Sequence, residues 1–183
     1  TIPAGFSALI QKLIDLRAPP ERLFEAAGIV REKIIPAAGG TLSLDVLQPD
    51  IVKLLVMSNH KEEALQESRV WLHICATSSL PQAIELVTYA FKSADGNLAR
   101  ANAFLRFQKF GPAGEDKQKG TADDIEDPFG KIPPLADPAR RARWTSIMAT
   151  LPSDWTGYRS RANIYLYLDD HAQAFEAMRR AFE

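Results

Sequence analysis

The chain has 183 residues, is 46% apolar and carries a formal net charge of -1. That is enough apolar material for one core of ordinary domain size. Near-neutral charge argues against a chain-wide surface for nucleic acid or anionic membrane, and no apolar run reaches the roughly 18 residues that span a bilayer. Cys75 is the only cysteine, which excludes an internal disulfide, speaks against a cysteine-based zinc site and favours a reducing, cytoplasmic setting.

Helical periodicity dominates from the start. Phe6, Leu9, Ile10, Leu13 and Ile14 share one helical stripe. Pro19 and Pro20 end that helix, and "ERLFEAAGIVREKI" follows as another. "PAAGG" reads as a breaker. The next helix is expected over Asp45–Ser58, with Ile51, Leu54 and Leu55 inward and Pro49 in its first turn, where a missing N–H costs little. Asn59 is expected to cap a further helix, with Glu62 as its capping-box partner. Ala64, Leu65, Ser68, Trp71, Leu72 and Cys75 would line the buried side of that helix.

Ser79 has the pattern of the next cap, ahead of a tight face of Ala83, Val87, Ala90 and Phe91. Asn97 is the cap expected for "LARANAFLRFQKF". From 111 to 137 glycine, proline and charge replace apolar periodicity, which predicts one long irregular loop. Asp137 with Pro138 signals a helix start, and Trp144, Ile147, Met148 and Leu151 form its stripe. Pro152 interrupts. Asp154 can cap the following helix, and Asp170 with Gln173 can cap the last one. No segment alternates as a strand. The expected architecture is a single all-α domain over 1–183, with N-terminal helices to 110, the loop, and C-terminal helices from 138. About eight or nine helices are expected in all.

The segment "NIYLYLDDHAQAFEAMRRAFE" places two apolar helical faces around a minimal "LDDH" turn. Tyr158, Ala162 and Tyr165 face Ala174, Met178 and Ala181, and the alanines would let two backbones approach closely. Residues 158–183 resemble a tetratricopeptide repeat, a helical hairpin of about 34 residues. Tyr158 and Tyr165 take its aromatic slots; Ala162, Ala174 and Ala181 take its small slots. Arg161 departs from the pattern, standing where such repeats usually carry leucine. Degenerate echoes run through residues 48–94. There Ala64 and Ala83 are 19 residues apart, so successive helices would share hairpins rather than form regular repeats. The resemblance implies a right-handed α-α superhelix. The repeat's closing proline would lie beyond Glu183, and the chain begins at Thr1, so a piece of a longer protein is expected.

Motifs for chemistry are missing. His60, His73 and His171 make no metal spacing, and there is no P-loop, nucleophile elbow or dinucleotide fingerprint. No catalytic residue, cofactor or metal is therefore assigned. "DDIED" lacks the glycine turn and spacing of a calcium loop and reads as a solvated acidic segment. Arg140, Arg141 and Arg143 form a basic patch suited to a phosphate, an acidic partner or the acidic loop. The aromatics of "FLRFQKF" resemble a single-strand stacking surface, but helical spacing accounts for Phe104 and Phe107 as core or edge residues, and the overall charge argues against nucleic acid.

The repeat resemblance also implies a partner groove along the first helix of the hairpin, lined by Arg159, Asn163 and Leu166 or Tyr167. Arg159 and Asn163 are four apart and share a face, and an arginine with an amide can take a peptide carboxylate and backbone. The function expected is a non-enzymatic scaffold binding a peptide or partner helix, with no nucleic acid and no membrane involved. The alternative is an accessory domain of a larger protein that carries catalysis elsewhere.

Overall fold

A computed structural model of the protein describes residues 2–38, 40–74, 80–95, 98–129 and 138–183. Every regular element among them is helical. The elements are α1 (Ile2–Asp15), α2 (Pro20–Ile29), a π-helical turn (Val30–Ile34), α3 (Ile35–Ala38), α4 (Gly40–Met57), α5 (Lys61–Ile74), α6 (Leu80–Asp95), α7 (Ala99–Phe110), α8 (Pro138–Thr150), α9 (Trp155–Tyr167) and α10 (His171–Ala181). Since α2, the π turn and α3 run on without a break, the described residues form nine rods. The chain is all-α, and that number matches the periodicity of its sequence.

α4 is the hub. Leu47, Ile51, Val52, Leu54 and Leu55 are fully buried on it, and it packs against α1, α2, α5, α6 and α9. From α4 to α7 each helix lies beside the next. Ala83, Ala90 and Ala101 are fully buried, which brings these rods close together. The stripe expected on α1 is only partly used: Ile10 is buried, Phe6 and Ile14 are half-buried, and Leu9 and Leu13 face solvent.

Three local expectations are corrected. The first concerns "PAAGG": Pro36, Ala37 and Ala38 are helical, so the predicted breaker supplies the end of α3. The second concerns Pro49, which lies inside α4 rather than in its first turn, because α4 begins at Gly40. Proline there forfeits one rung of the ladder, and burial of α4 against five neighbours outweighs the loss. The third concerns Asn59, which does not cap α5. It takes φ +67°, its N–H donates to the Val56 carbonyl and the His60 N–H reaches back to Leu55. This pair of bonds is a Schellman ending of α4. Arg17 and Asp169 end α1 and α9 in the same way, both in the left-handed region. Asparagine suits the end of a helix as well as its start, and sequence alone favoured the wrong one. The caps expected at Ser79, Asn97 and Asp137, and the site of Cys75, lie outside the described residues.

The C-terminal hairpin forms as the sequence predicts. Asp154 accepts from the Gly157 N–H at 2.9 Å and starts α9; Asp170 accepts from the Gln173 N–H at 3.2 Å and starts α10. α9 and α10 pack against each other more extensively than any other pair of elements. Ala162, Ala174 and Ala177 are buried between them, whereas Met178 and Ala181 are half-buried. The seam therefore runs through Ala174 and Ala177 rather than Ala174 and Ala181.

Arg161 bonds across the corner between α8 and α9. Its guanidinium donates to the carbonyls of Met148 at 3.1 Å and Pro152 at 2.7 Å, and to that of Leu151. These are carbonyls at the end of α8 or just past it, groups that a helix terminus leaves without intrahelical partners. Gly157 is buried beside them, and a Cβ there would collide with the Pro152 carbonyl.

The segment after α7 is irregular through residue 129, as expected, yet it is tied down. Asp123 accepts from the Asp116 N–H and the Thr121 hydroxyl, and Asp124 from the Gly120 N–H. Ile125 is buried. Phe129 packs on Phe91 and Phe104 at centroid distances of 5.0 and 5.8 Å. The acidic cluster thus largely serves the turns of its own loop.

Two polar groups lie near the hub, one joining buried Gln48 and Glu67 to half-buried Arg31 and Glu63, the other the buried Asp50. Arg31, in the π turn, pairs with Glu63 and lies 3.6 Å from Glu67. Gln48 of α4 donates to the Glu67 carboxylate at 2.7 Å. Asp50 is 6% exposed, and one of its carboxylate oxygens has no partner among the described residues. Burial pushes its pKa above 3.8, against the opposing effects of the Ser7 hydrogen bond and the Lys53 charge.

Ala174→Leu should overpack the hairpin and destabilise the protein by about 1–3 kcal/mol, read as a lower denaturant midpoint; an unchanged midpoint would remove the close crossing. Because Asp50 has a raised folded-state pKa, the stability it contributes is present below 3.8 and is lost as pH rises through the folded value. Asp50→Asn should therefore gain stability over the wild type as pH rises from the acid limb to neutrality. A difference in urea unfolding free energy that stays constant with pH would show that the carboxylate carries no such cost.

Candidate partner-binding surface

The residues expected to line a groove all lie on α9, and α9 is enclosed by α4, α5, α8 and α10. Arg159, Asn163 and Tyr167 are each half-buried. Tyr167 sits edge-on to Trp144, ring centroids 6.2 Å apart. Leu166 is half exposed on the same helix. The helical spacing that placed Arg159 and Asn163 on one face is present, and the packing leaves each of them only partial access to solvent.

Of the expected basic patch, Arg141 has a described side chain. Arg141 pairs with Asp170 at 3.1 Å, so it joins the first turn of α8 to the N-cap of α10. The side chains of Arg140 and Arg143 lie outside the described ones. Phe104 is fully buried with Phe91, which removes it from any stacking surface. Among the described residues no group of three or more histidine, cysteine or acidic side chains could hold a metal, and no helix is long and apolar enough to cross a membrane.

The hairpin's other side is the surface that the sequence reading passed over. Phe175 and Phe182 are 74% and 76% exposed, on α10 and at its C-cap, while Ala174 and Ala177 of that helix are buried. They are seven residues apart, two turns along one face of the α10 segment. Phe182 lies against Trp155, ring centroids 5.5 Å apart, and Trp155 is itself 48% exposed. The two rings join the start of α9 to the end of α10. The signal was present in the spacing of Phe175 and Phe182; the alanines drew attention to the opposite face.

Charge frames these rings. Glu176 accepts from Arg179 at 2.8 Å and from Arg180 at 3.1 Å, and Arg179 also pairs with Glu183. The two arginines hold the Glu176 carboxyl down to about 2, Arg179 first and Arg180 second. A shallow cleft of about 510 Å³ lies between Asp154, Trp155 and Tyr158 on one side and Arg179, Arg180 and Glu183 on the other. The arrangement offers exposed aromatic area beside fixed charges of both signs, and none of its groups forms a nucleophile–base pair. No protein family, curated protein or solved structure matches this chain.

Proposed function

We propose that the protein is a non-enzymatic interaction scaffold, a tetratricopeptide-like right-handed helical stack that receives a peptide or helix of a protein partner. One observation carries this reading. The terminal hairpin buries Ala162, Ala174 and Ala177 and leaves Phe175 and Phe182 exposed, the reverse of what burial alone would select. Covering an exposed phenylalanine contributes about 1.5–3 kcal/mol, and contiguous exposed apolar surface rimmed by charge marks interaction sites. Alanine inside brings α9 and α10 close together, and Phe175, Phe182 and Trp155 outside give a partner apolar anchors. Arg179, Arg180 and Glu183 supply charges that select and orient it.

The side-by-side sequence of α4 to α7, followed by the α9–α10 pair, supports the stack. The α9 face with Arg159, Asn163 and Tyr167 is the second surface a stack of this kind would offer.

Capture of a partner from the native source by the immobilised protein, identified by mass spectrometry, tests both faces. Phe175→Glu with Phe182→Glu should abolish capture while leaving helical circular dichroism and the melting temperature essentially unchanged, since both side chains are exposed. Arg159→Glu with Asn163→Ala should leave capture largely intact. Capture that survives the first pair and fails with the second would move the interface to α9; capture surviving both would sink the scaffold reading at this hairpin.

A further inference from the structure

The irregular segment after α7 returns to the helices at residues 126–129, which lie across α5, α6 and α7 as a short strap. Phe129 is half-buried, with its ring 5.0 Å from that of Phe91 on α6 and 5.8 Å from that of Phe104 on α7. Arg69 of α5 holds its guanidinium 5.1 Å from the centroid of the Phe129 ring and 3.4 Å from the Asp127 carboxylate. Arg100 of α7 donates to the Pro128 carbonyl from Nε at 3.4 Å and from Nη2 at 3.3 Å, and lies over the Phe91 ring at 5.0 Å. The Phe129 N–H donates to Asp127 at 3.0 Å, which keeps the carboxylate close to the phenylalanine.

Closing a core needs only apolar cover. Here two arginines from different helices meet the carboxylate, the ring and the main chain of one short segment, the kind of contacts by which a surface recognises an acidic peptide. The seat is imperfect. The arginine bonds to the strap are 3.3–3.4 Å long, past the usual range of about 2.7–3.2 Å, and the Asp127 side chain is 42% exposed. A gap of about 410 Å³ remains between Arg100 and Arg106 on one side and Asp124, Glu126 and Asp127 on the other. A cationic helix faces an acidic strap without closing on it.

We propose that this surface of α5, α6 and α7 is a peptide-docking site that the chain occupies with its own strap, and that an extended acidic–proline–aromatic segment of a protein partner displaces it. The partner's carboxylate takes Arg69, its main-chain carbonyl takes Arg100, and its aromatic ring takes the place of Phe129. A tethered strap has a high effective concentration, so it acts as a brake: a segment displaces it by seating the arginine bonds better. The site shares no residue with the aromatic face of the terminal hairpin and does not depend on it.

The probe is a capped, fluorescein-labelled peptide with the chain's own sequence at residues 125–129, Ile-Glu-Asp-Pro-Phe, followed by anisotropy against the full chain. Asp127→Asn removes the strap's charge and keeps an acceptor for the Phe129 N–H. It should tighten peptide binding by about two- to fivefold, the worth of an exposed ion pair. Asp127→Asn with Phe129→Ala should tighten it by about tenfold or more, since the ring's burial is also lost from the strap. Adding Arg69→Glu to either variant should cancel the gain, and so should alanine in place of the peptide's phenylalanine. Asp127 is exposed, so the single variant keeps the test valid if the double variant fails to fold. Peptide binding no tighter in Asp127→Asn than in the wild type, or a gain that survives Arg69→Glu, would overturn the assignment and leave the strap as a fixed cover of the core.

Discussion

Close approach of backbones at α9 is the constraint on which the C-terminal half depends. Ala162, Ala174 and Ala177 are buried where α9 and α10 meet, and Gly157 is pressed against Pro152 where α9 turns away from α8. A methyl group, or a hydrogen atom at Gly157, is what these places accommodate, because a well-packed interior leaves little room to absorb extra carbons. With α9 so placed, its other sides reach α4 and α5, and the hairpin joins the main stack. The large residues of α10 then have only the outside to occupy. The exposed aromatic face is thus a geometric consequence of the small inner one.

Much of the fold was legible in the sequence because helical burial is periodic. The stripes Ala83–Val87–Ala90–Phe91 and Trp144–Ile147–Met148–Leu151 are buried as read, and the caps Asp154 and Asp170 form. Legibility failed where one residue type serves two purposes. Asn59 could begin a helix or end one, and the Val56 and Leu55 carbonyls decided for the end. Pro49 could open a helix or be carried within one, and only the surroundings of α4 show that the interior is tolerable. The site was less legible than the fold. Spacing put Arg159 and Asn163 on a face but could not say how far α4, α5 and α8 would cover it. Phe175 and Phe182 had a visible period, and nothing local distinguishes an outward aromatic stripe from an inward one.

The polar interior of the first half has a different logic. Arg31 occupies a π turn, a widened helical geometry often found where a side chain must be re-aimed. There it meets Glu63 and is 3.6 Å from Glu67, while Gln48 ties Glu67 to α4. Breaking such a group by removing one member is more damaging than the net worth of the pairing, because the remaining charge stays buried. Three rods are thereby held in one register: the π turn, α4 and α5. The apolar contacts of the same helices could tolerate sliding by a turn; the bonded polar group cannot.

Arg161 has a consequence of another kind. The end of α8 completes part of its hydrogen bonding itself, Thr150 donating to Ile147 and the Leu151 N–H to Met148, and takes the rest from the Arg161 side chain on the following helix. Melting α9 withdraws the guanidinium and frays α8, and fraying α8 strips Arg161 of its acceptors. Arg161 thus couples the end of α8 to α9, so that loosening either one costs the other these bonds.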